Sequence, residues 1–463
     1  MRLAVLAIAF AVVAGAQEDL TLGARARQYL VELIRLDTTN PPGNETRVAE
    51  YLKRIAGSYD IPAEALGEDP GRLNFVARLK GTGQERPLLL MAHSDVVPAD
   101  RSQWSVDPFG GEIRDGFIYG RGAQDDKSLI AAEMAVLVEL KKRGVPLRRD
   151  VILLAEADEE AGSTGIQWLI RNSPEAIDAE FALNEAGIAY DTPSGLRLYQ
   201  VQTSEKIPSR VTLTAHGTAG HGSLPRPDNP VVRLARAVAR LAGADQPVRL
   251  NTTTRRYLKE LSKLEGYGWL ARLLPGLEGP SSAVATANRI QSRDPEIGAL
   301  LRTTVSPTML KAGTKINVIP NVAEAQIDVR RLPNESREEV LARFRRIVND
   351  TAVEIRPARS QEMPATEPSS LTTPLYAAMR KILLQASPHA LVVPYMGRGA
   401  TDGAYLRDKG MAVYGAPVFL REGAESRSHG NDERISISNL EAGTELLWKI
   451  VLAVAANHEA LSQ

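Results

Sequence analysis

Continuously apolar segments alternate with amphipathic ones along the first 205 residues. Runs that are apolar throughout or nearly so predict buried strands, at residues 74–79, 87–92, 151–155 and 181–183. Apolar residues at helical spacing predict helices, at residues 20–35, 48–55, 128–142 and 161–171. Strands that alternate with helices in this way are typical of an α/β domain with a largely parallel sheet.

A different order of elements follows residue 205. It comprises a strand at 210–215, a helix at 229–241, strands at 303–310 and 323–330, a helix at 337–349 and a strand at 352–355. This β-α-β-β-α-β order predicts a ferredoxin-like α+β domain. Residues 250–294 interrupt that domain and predict a mostly helical insertion.

The last hundred residues return to the first pattern. They predict a helix at 375–385, a strand at 390–393 and a helix at 437–456. We therefore expect a main domain in two parts, 17–204 and 361–463, with the ferredoxin-like domain inserted between them at 205–360.

Length and composition agree with two soluble domains and give no indication of a nucleic-acid partner. The chain has 463 residues, of which 43% are hydrophobic and 24% charged, as in ordinary globular proteins. Lys plus Arg and Asp plus Glu each number 56, so the formal net charge is zero. Neither this balance nor any motif indicates a nucleic-acid partner.

The N-terminus predicts a secretory signal peptide at residues 1–16. Arg2 supplies a positive charge, residues 3–13 form a short apolar run, and residues 14–16 (Ala-Gly-Ala) offer a cleavage site before Gln17. The run is too short for an ordinary transmembrane helix, so we expect no membrane span after cleavage. The alternatives are a buried N-terminal helix or an uncleaved anchor. Export to the periplasm or outside the cell is the prediction, and the chain has no cysteine that could form a disulfide there.

Seven acidic and histidine side chains with distinctive local contexts are the strongest chemical signal. They are His93, Asp95, Asp125, Glu159, Glu160, Glu185 and His429. Carboxylates with a few imidazoles and no thiolate form the ligand chemistry of a hydrolytic zinc site. One bridging carboxylate and four terminal ligands would hold two metal ions, with one glutamate left to move a proton.

Three of these side chains are placed where they can meet at one site. His93, Glu160 and Glu185 each follow a predicted apolar strand, and the carboxyl ends of parallel strands meet at one crevice. Asp95 could accept the second ring N–H of His93 and fix its orientation.

The residues alone leave several points open. Asp125 and its neighbour Asp126 could simply begin a helix, and Glu159 and Glu160 could form a solvated acidic turn. They do not show which of the two glutamates is the free one, nor which ligand belongs to which metal.

A larger set of motifs resembles the dinuclear zinc metallopeptidases of family twenty, clan MH. That family includes glutamate carboxypeptidase, carboxypeptidase S, aminoacylase, acetylornithine deacetylase and succinyl-diaminopimelate desuccinylase. The motifs that carry the resemblance are residues 38–45 (TTNPPGNE), 93–98 (HSDVVP), 104–109 (Trp104 to Pro108-Phe109), 119–127 (YGRGAQDDK), 158–160 (DEE), 220–223 (GHGS) and 317–320 (NVIP). They occur in order over essentially the whole mature chain and are specific only in combination.

The resemblance implies a role for each member of the set. It implies that His93 and Glu185 bind one zinc, that Glu160 and His429 bind the other, and that Asp125 bridges them. Cobalt is expected to substitute for zinc. Glu159 resembles the general acid/base, Asp95 the residue that orients His93, and the peptide between Asp125 and Asp126 is expected to be cis.

The resemblance also implies residues that contact substrate. His221, in the inserted domain, resembles a histidine that stabilises the oxyanion in a neighbouring active site across a dimer of lid domains. Asn317 and Arg330 match positions that bind the free carboxylate of the substrate, with Arg331 as the alternative to Arg330. The turn containing Gly399 and Thr401 resembles a further part of the substrate pocket.

Two small departures from the family pattern leave the ligands and the base intact. Ser128 follows Lys127 where many relatives have glycine, and Ala161 separates Glu160 from Gly162. The helical insertion resembles the larger carboxypeptidase S-like branch and affects the expected pocket shape.

These implications define the expected protein. It is an exported zinc hydrolase with an α/β catalytic domain and an inserted lid and dimerisation domain, and it forms a homodimer through the lid. It would cleave an amide bond beside a free carboxylate in a small peptide, as a carboxypeptidase or dipeptidase does. The alternatives are an N-acyl amino acid amidohydrolase and, in another class, a non-catalytic peptide-binding relative.

Overall fold

A computed structural model describes residues 20–359, 362–423 and 426–457. The predicted signal peptide, residues 1–16, lies outside these residues. The helices are α1 (Leu22–Arg35), α2 (Thr46–Ser58), α3 (Lys127–Lys142), α4 (Thr164–Asn172), α5 (Pro174–Ile177), α6 (Pro230–Gly243), α7 (Thr252–Leu261), α8 (Gly268–Glu278), α9 (Ala283–Arg293), α10 (Pro295–Leu300), α11 (Arg337–Val348), α12 (Pro374–Ala386), α13 (Gly403–Asp408) and α14 (Ile437–Ala455). None of the helices in these residues is long and apolar enough to cross a membrane.

The strands agree with most of the sequence predictions within a few residues. They are β1 (Ala63–Leu66), β2 (Asn74–Leu79), β3 (Leu88–His93), β4 (Glu112–Arg114), β5 (Phe117–Tyr119), β6 (Val151–Glu156), β7 (Phe181–Asn184), β8 (Ile188–Asp191), β9 (Arg197–Glu205), β10 (Ile207–Pro208), β11 (Val211–His216), β12 (Gly220–His221), β13 (Thr304–Ala312), β14 (Val318–Ile319), β15 (Val322–Arg331), β16 (Val353–Pro357), β17 (Leu391–Gly397), β18 (Ala412–Gly415) and β19 (Arg434–Ser436).

The central sheet has the strand order β1-β2-β6-β3-β7-β18-β9-β17, with β8 paired to β9. Its four middle strands, β6, β3, β7 and β18, are parallel, whereas β1, β2 and β8 pair antiparallel. Every residue of β3 and β6 is buried, as expected for central strands made of unbroken apolar runs.

Helices cover both faces of the central sheet. Helices α1, α2, α3, α12 and α14 supply the larger apolar cluster on one face, and α4, α5 and α13 the smaller cluster on the other. The predicted α/β architecture with a mostly parallel sheet is therefore confirmed.

The predicted ferredoxin-like unit forms a second, antiparallel sheet. Its strand order is β13-β15-β11-β16, and α6 and α11 pack on it around Leu234 and Phe344. Strand β13 lies at one edge. This is the arrangement expected from a β-α-β-β-α-β chain order.

The helical insertion packs against the central sheet. Side chains of α7 to α10, among them Tyr257 and Ile290, share one apolar cluster with Leu198 of β9 and with Val393 and Tyr395 of β17. Helices α7–α10 therefore shape the end of the central sheet that carries β17.

Candidate metal centre

Three of the predicted ligands follow adjacent parallel strands. His93 ends β3, Glu160 lies in the turn after β6, and Glu185 follows β7. These strands are neighbours in the order β6-β3-β7, so their carboxyl ends bring the three side chains to one edge of the sheet. Asp125 reaches the same place from the loop before α3, and His429 from the segment before β19.

Asp125 lies between the two histidines. Its Oδ1 is 3.0 Å from Nε2 of His93, and its Oδ2 is 3.2 Å from Nε2 of His429. Nε2 of His429 is also 2.9 Å from Oε1 of Glu160. The two oxygens of one carboxylate thus face two separate imidazoles, which is the arrangement needed for a bridging ligand. The peptide between Asp125 and Asp126 is cis.

The second nitrogen of His93 is held by the backbone. Nδ1 lies 2.9 Å from the carbonyl oxygen of Asp95 and 3.6 Å from its carboxylate, so the carbonyl is the nearer acceptor. The Asp95 carboxylate instead accepts hydrogen bonds from the side chain of Asn40 (2.7 Å) and from the backbone N–H groups of Glu159 and Glu160 (both 3.2 Å). Its hydrogen bonds therefore position the glutamate turn, in addition to its contact with His93, and the orienting role of Asp95 stays a prediction.

The electrostatics show two imidazoles among crowded carboxylates. Burial opposes a charge on His93, yet hydrogen bonding to Asp125 raises the pKa of His93 well above its usual range. Hydrogen bonds that His429 donates to the carboxylates of Asp125 and Glu160 raise the pKa of His429 to about 10. Burial raises the pKa of Glu159 well above its usual range, and the charge of Glu185 acts in the same direction.

The donor set fits metal ions. Ligand atoms of His93, Asp126 and Glu185 lie within 4.8 Å of one another, and so do those of His93, Asp125 and Glu160. Asp126 has a buried Oδ2 with no hydrogen-bond partner in the described part of the chain. Crowded carboxylates with an unpaired buried oxygen are stabilised by cations, and imidazole with carboxylate is the donor chemistry of zinc.

Two cavities meet at this centre. The larger one, about 730 Å³, extends toward the second sheet, and Arg210, Arg330 and Met363 are among its lining residues. The smaller one, about 390 Å³, extends toward β17 and is lined by Ile188 and Tyr395. Both are bordered by the predicted site residues Glu159, Glu160, His429 and Gly399.

The structure brings some predicted substrate residues to these cavities. Arg330 lines the larger cavity, while Arg331 is buried and bonded to Glu362, so the arginine that faces the cavity is Arg330. Thr401 lines the smaller cavity, where its hydroxyl donates to Glu205 (2.9 Å).

His221 and Asn317 lie elsewhere in this chain. His221 is exposed on β12, with its Nδ1 2.7 Å from the hydroxyl of Ser223, and Asn317 is exposed beside it. The Asn317 carbonyl accepts from Gly222 N–H (2.8 Å). Neither residue lines the two cavities described above.

Sequence reasoning did not assign three residues that contact the predicted site. Asp126 offers a ligand atom near His93, and its adjacency to Asp125 was the available signal. Asn40 holds the Asp95 carboxylate, and Glu433 accepts the backbone N–H of Asp125 (3.0 Å). Asn40 lies in the motif at residues 38–45 and Glu433 four residues after His429, but nothing in their spacing predicts these partners.

Comparisons with known proteins agree with this site. A family model described as peptidase family M20/M25/M40 matches residues 89–453. The chain is 29% identical to human N-fatty-acyl-amino acid synthase/hydrolase PM20D1 over 384 residues, 81% of this chain and 76% of the relative. It is 26% identical to Pongo abelii aminoacylase-1 over 443 residues, 93% of this chain and 94% of the relative.

A solved structure shows the same fold. The M20 family metallo-carboxypeptidase Sso-CP2 from Sulfolobus solfataricus superposes with a TM-score of 0.71 at 22% identity. The superposition covers 92% of this chain and 99% of the other.

Proposed function

Because the chain belongs to peptidase family M20/M25/M40, and is thus a metal-dependent hydrolase, we propose that it cleaves an amide bond whose nitrogen belongs to an amino acid with a free carboxylate. Two zinc ions are the proposed cofactors, with cobalt able to replace them. His93 and Glu185 would hold one ion, Glu160 and His429 the other, and Asp125 both.

One observation carries this proposal. The two oxygens of Asp125 face the Nε2 atoms of His93 and His429 at 3.0 and 3.2 Å, and Glu159 borders both cavities beside them. The Glu159 side chain is half-buried and faces the space in which a substrate would bind.

The chain's own residues suit the steps of amide hydrolysis. The ions, when bound, would supply Lewis acidity at the scissile carbonyl. Glu159 would take a proton from the attacking water and give it to the leaving amine, and its raised pKa suits a group that must hold that proton in between. Arg330 would pair with the free carboxylate in the larger cavity, since guanidinium binds carboxylate through two parallel hydrogen bonds.

The smaller cavity, where the acyl group of a substrate would lie, favours an N-acyl amino acid as the second candidate substrate. Ile188 and Tyr395 give the smaller cavity an apolar wall, and Tyr395 packs against Tyr257 of the helical insertion. An apolar wall suits an acyl chain better than a charged peptide terminus. The named activity of the PM20D1 relative points the same way.

We further propose export and assembly as a homodimer. Export is inferred from the predicted signal peptide at residues 1–16. The dimer is inferred from the inserted unit, where Leu224, Met309 and Leu310 are 70, 65 and 66% exposed and Leu224 lies three residues from His221. Apolar side chains this exposed are typical of a protein interface.

The test is a substrate panel with purified protein and zinc. Dipeptides, N-acetyl amino acids and N-fatty-acyl amino acids are assayed with wild type, Glu159→Gln and the exposed α14 control Glu445→Gln. We expect Glu159→Gln to lose ~10²- to 10⁴-fold in kcat while it binds two zinc ions per chain.

Three results would contradict the proposal. Wild-type turnover by Glu159→Gln would reject the proton role, and metal-free protein after zinc addition would reject the dinuclear site. Equal cleavage of substrates with free and amidated carboxylates would reject the proposed substrate class.

A further inference from the structure

Two loops that carry proposed metal ligands are tied together by hydrogen bonds. One loop, residues 120–126, carries Asp125, and the other, residues 426–434, carries His429. The His429 side chain is 53% exposed, and its Nε2 atom contacts the carboxylates of Asp125 and Glu160. An exposed ligand on an irregular segment needs hydrogen bonds that hold that segment in place, because ligand geometry depends on the groups that contact the ligands.

Glu433 supplies one half of the tie. Its carboxylate is fully buried; Oε1 accepts the backbone N–H groups of Gln124 (2.7 Å) and Asp125 (3.0 Å). Oε2 accepts from the guanidinium of Arg121 at 2.6 Å. In return, the Glu433 carbonyl accepts from Gly120 N–H at 2.9 Å.

Gln124 supplies the other half. Its Oε1 accepts the backbone N–H of Arg427 (3.0 Å), and its Nε2 donates to the carbonyl of Arg434 (2.9 Å). These two contacts lie on either side of His429 in the sequence. One side chain therefore fixes both ends of the segment that presents the histidine.

We propose that Gln124 and Glu433 are positioning residues that set the placement of His429 relative to Asp125, and so determine the affinity of one of the two metal ions. Each of the two residues contacts the loop that carries the other. Neither residue lines the two cavities that Glu159 borders. The proposal rests on the proposed dinuclear site. It assigns the effect to the ion held by His429 and Glu160, because the Nδ1 atom of His93 is held separately, by the backbone carbonyl of Asp95 at 2.9 Å.

The test compares Gln124→Ala with Gln246→Ala as a matched control. Gln246 also donates to a backbone carbonyl, that of Ala244 (3.1 Å), and accepts from a side-chain N–H, that of Arg343 (2.8 Å). It lies after α6, outside both cavities of the metal centre. The two variants therefore remove the same kind of contact in different places.

The first measurement is hydrogen–deuterium exchange of the metal-free proteins. Gln124→Ala is expected to raise exchange several-fold in residues 426–434, while Gln246→Ala leaves that segment unchanged. The second is competition between the protein and a chelator for zinc. Gln124→Ala is expected to lower the affinity for one of the two zinc ions by about tenfold or more, as the loss of groups that orient the ligands does in other metal sites.

A second position separates positioning from folding. Glu433→Gln keeps the oxygen that accepts the two backbone N–H groups, so we expect it to retain more zinc affinity than Glu433→Ala. Glu433→Ala is informative only if it folds, and Gln124→Ala carries the test if it does not.

Several outcomes would overturn the proposal. Wild-type exchange of residues 426–434 in Gln124→Ala would do so regardless of metal content. Raised exchange with unchanged affinity for both ions would do so too, as would an equal loss of affinity in Gln246→Ala. If the wild-type protein binds no zinc, the proposed function fails, and the exchange result alone decides whether the loops are tied.

Discussion

Individual side chains near the metal centre have opposite surroundings even when they are neighbours in sequence. Arg330 and Arg331 are adjacent on β15, yet Arg330 lines the larger cavity and Arg331 is buried against Glu362 and the carbonyl of Glu335. Alternation along a strand explains the difference, because successive side chains point to opposite faces. The proposed role in substrate binding therefore stays with Arg330, and we expect Arg331 to contribute to stability.

Replacing Arg330 should impair substrate binding. We expect Arg330→Ala to raise KM and lower kcat/KM by about 10- to 100-fold, because a charge-assisted pair with the substrate carboxylate is lost. Arg330→Lys should recover only part of this loss, since lysine lacks the planar fork. Steady-state kinetics with a carboxylate substrate and its amide measure the effect. An equal loss on both substrates would contradict the assignment.

The sequence predicts the metal ligands better than it predicts what supports them. His93, Asp125, Glu160 and His429 lie in short motifs with recognisable neighbours, and the structure brings these side chains together. The contact between Gln124 and Arg427 joins residues 303 positions apart. No local pattern encodes such a partner, because both residues are polar and ordinary in their own segments.

At the scale of elements, apolar runs predict strands well and say little about packing partners. Strand β3 is predicted at 87–92 and is Leu88–His93, because a short unbroken apolar run is typical of a strand buried on both faces. Helices α7–α9 lie in the insertion predicted at 250–294 and α10 follows it, but the contact of these helices with β9 and β17 is not predicted. Helical periodicity shows which face is apolar and does not identify the surface that face covers.

One lysine marks the passage from the central sheet to the second sheet. Lys206 lies between β9 and β10, 1% exposed, and its Nζ donates to the carbonyls of Ala299 and Arg302 and to the hydroxyl of Thr304. Burial lowers the pKa of Lys206 to about 7. The charges of Arg330 and Arg398 act in the same direction, and those of Asp328 and Glu335 oppose them.

This shift gives a pH dependence of stability. The folded pKa of about 7 lies below the ordinary value of 10.5, so between these values the unfolded chain binds a proton that the folded chain does not. Raising the pH through that window therefore favours the folded state. We expect the Tm of wild type, relative to Lys206→Met, to rise from pH 7 to 9. The Tm difference between wild type and Lys381→Met, a variant at an exposed position on α12, should not change with pH. A Tm difference between wild type and Lys206→Met that stays constant from pH 7 to 9 would contradict the expectation.

At the scale of the whole molecule, one chain brings together most of the proposed catalytic residues. Four of the proposed metal ligands, together with Glu159 and Arg330, line one or both of the two cavities, but His221 is exposed and lines neither. The inserted unit also carries most of the large exposed apolar side chains among the described residues, which are Leu224, Val231, Val232, Met309, Leu310, Ile316, Val318 and Val322. Strand β13 adds an unpaired sheet edge there.

The exposed apolar side chains of the inserted unit predict a homodimer that a single introduced charge would dissociate. We expect wild type to have a solution mass near twice 50.2 kDa by light scattering, and Leu310→Asp to have a mass near 50.2 kDa with reduced kcat. Ile113→Asp is the matched control, because Ile113 is also exposed (52%) but lies on β4, away from the inserted unit. A monomeric wild type would contradict the prediction.

A mixing experiment shows whether His221 acts in the active site of the partner subunit. His221→Ala and Glu159→Gln should each be nearly inactive as homodimers, since each lacks one group at both sites. When the two variants exchange subunits, each heterodimer has one site with an intact Glu159 and a partner that supplies His221. Half of the dimers would be mixed, with one working site of two, so about a quarter of wild-type activity should return. If His221 instead acted within its own chain, every site in the mixture would still lack one group and no activity would return.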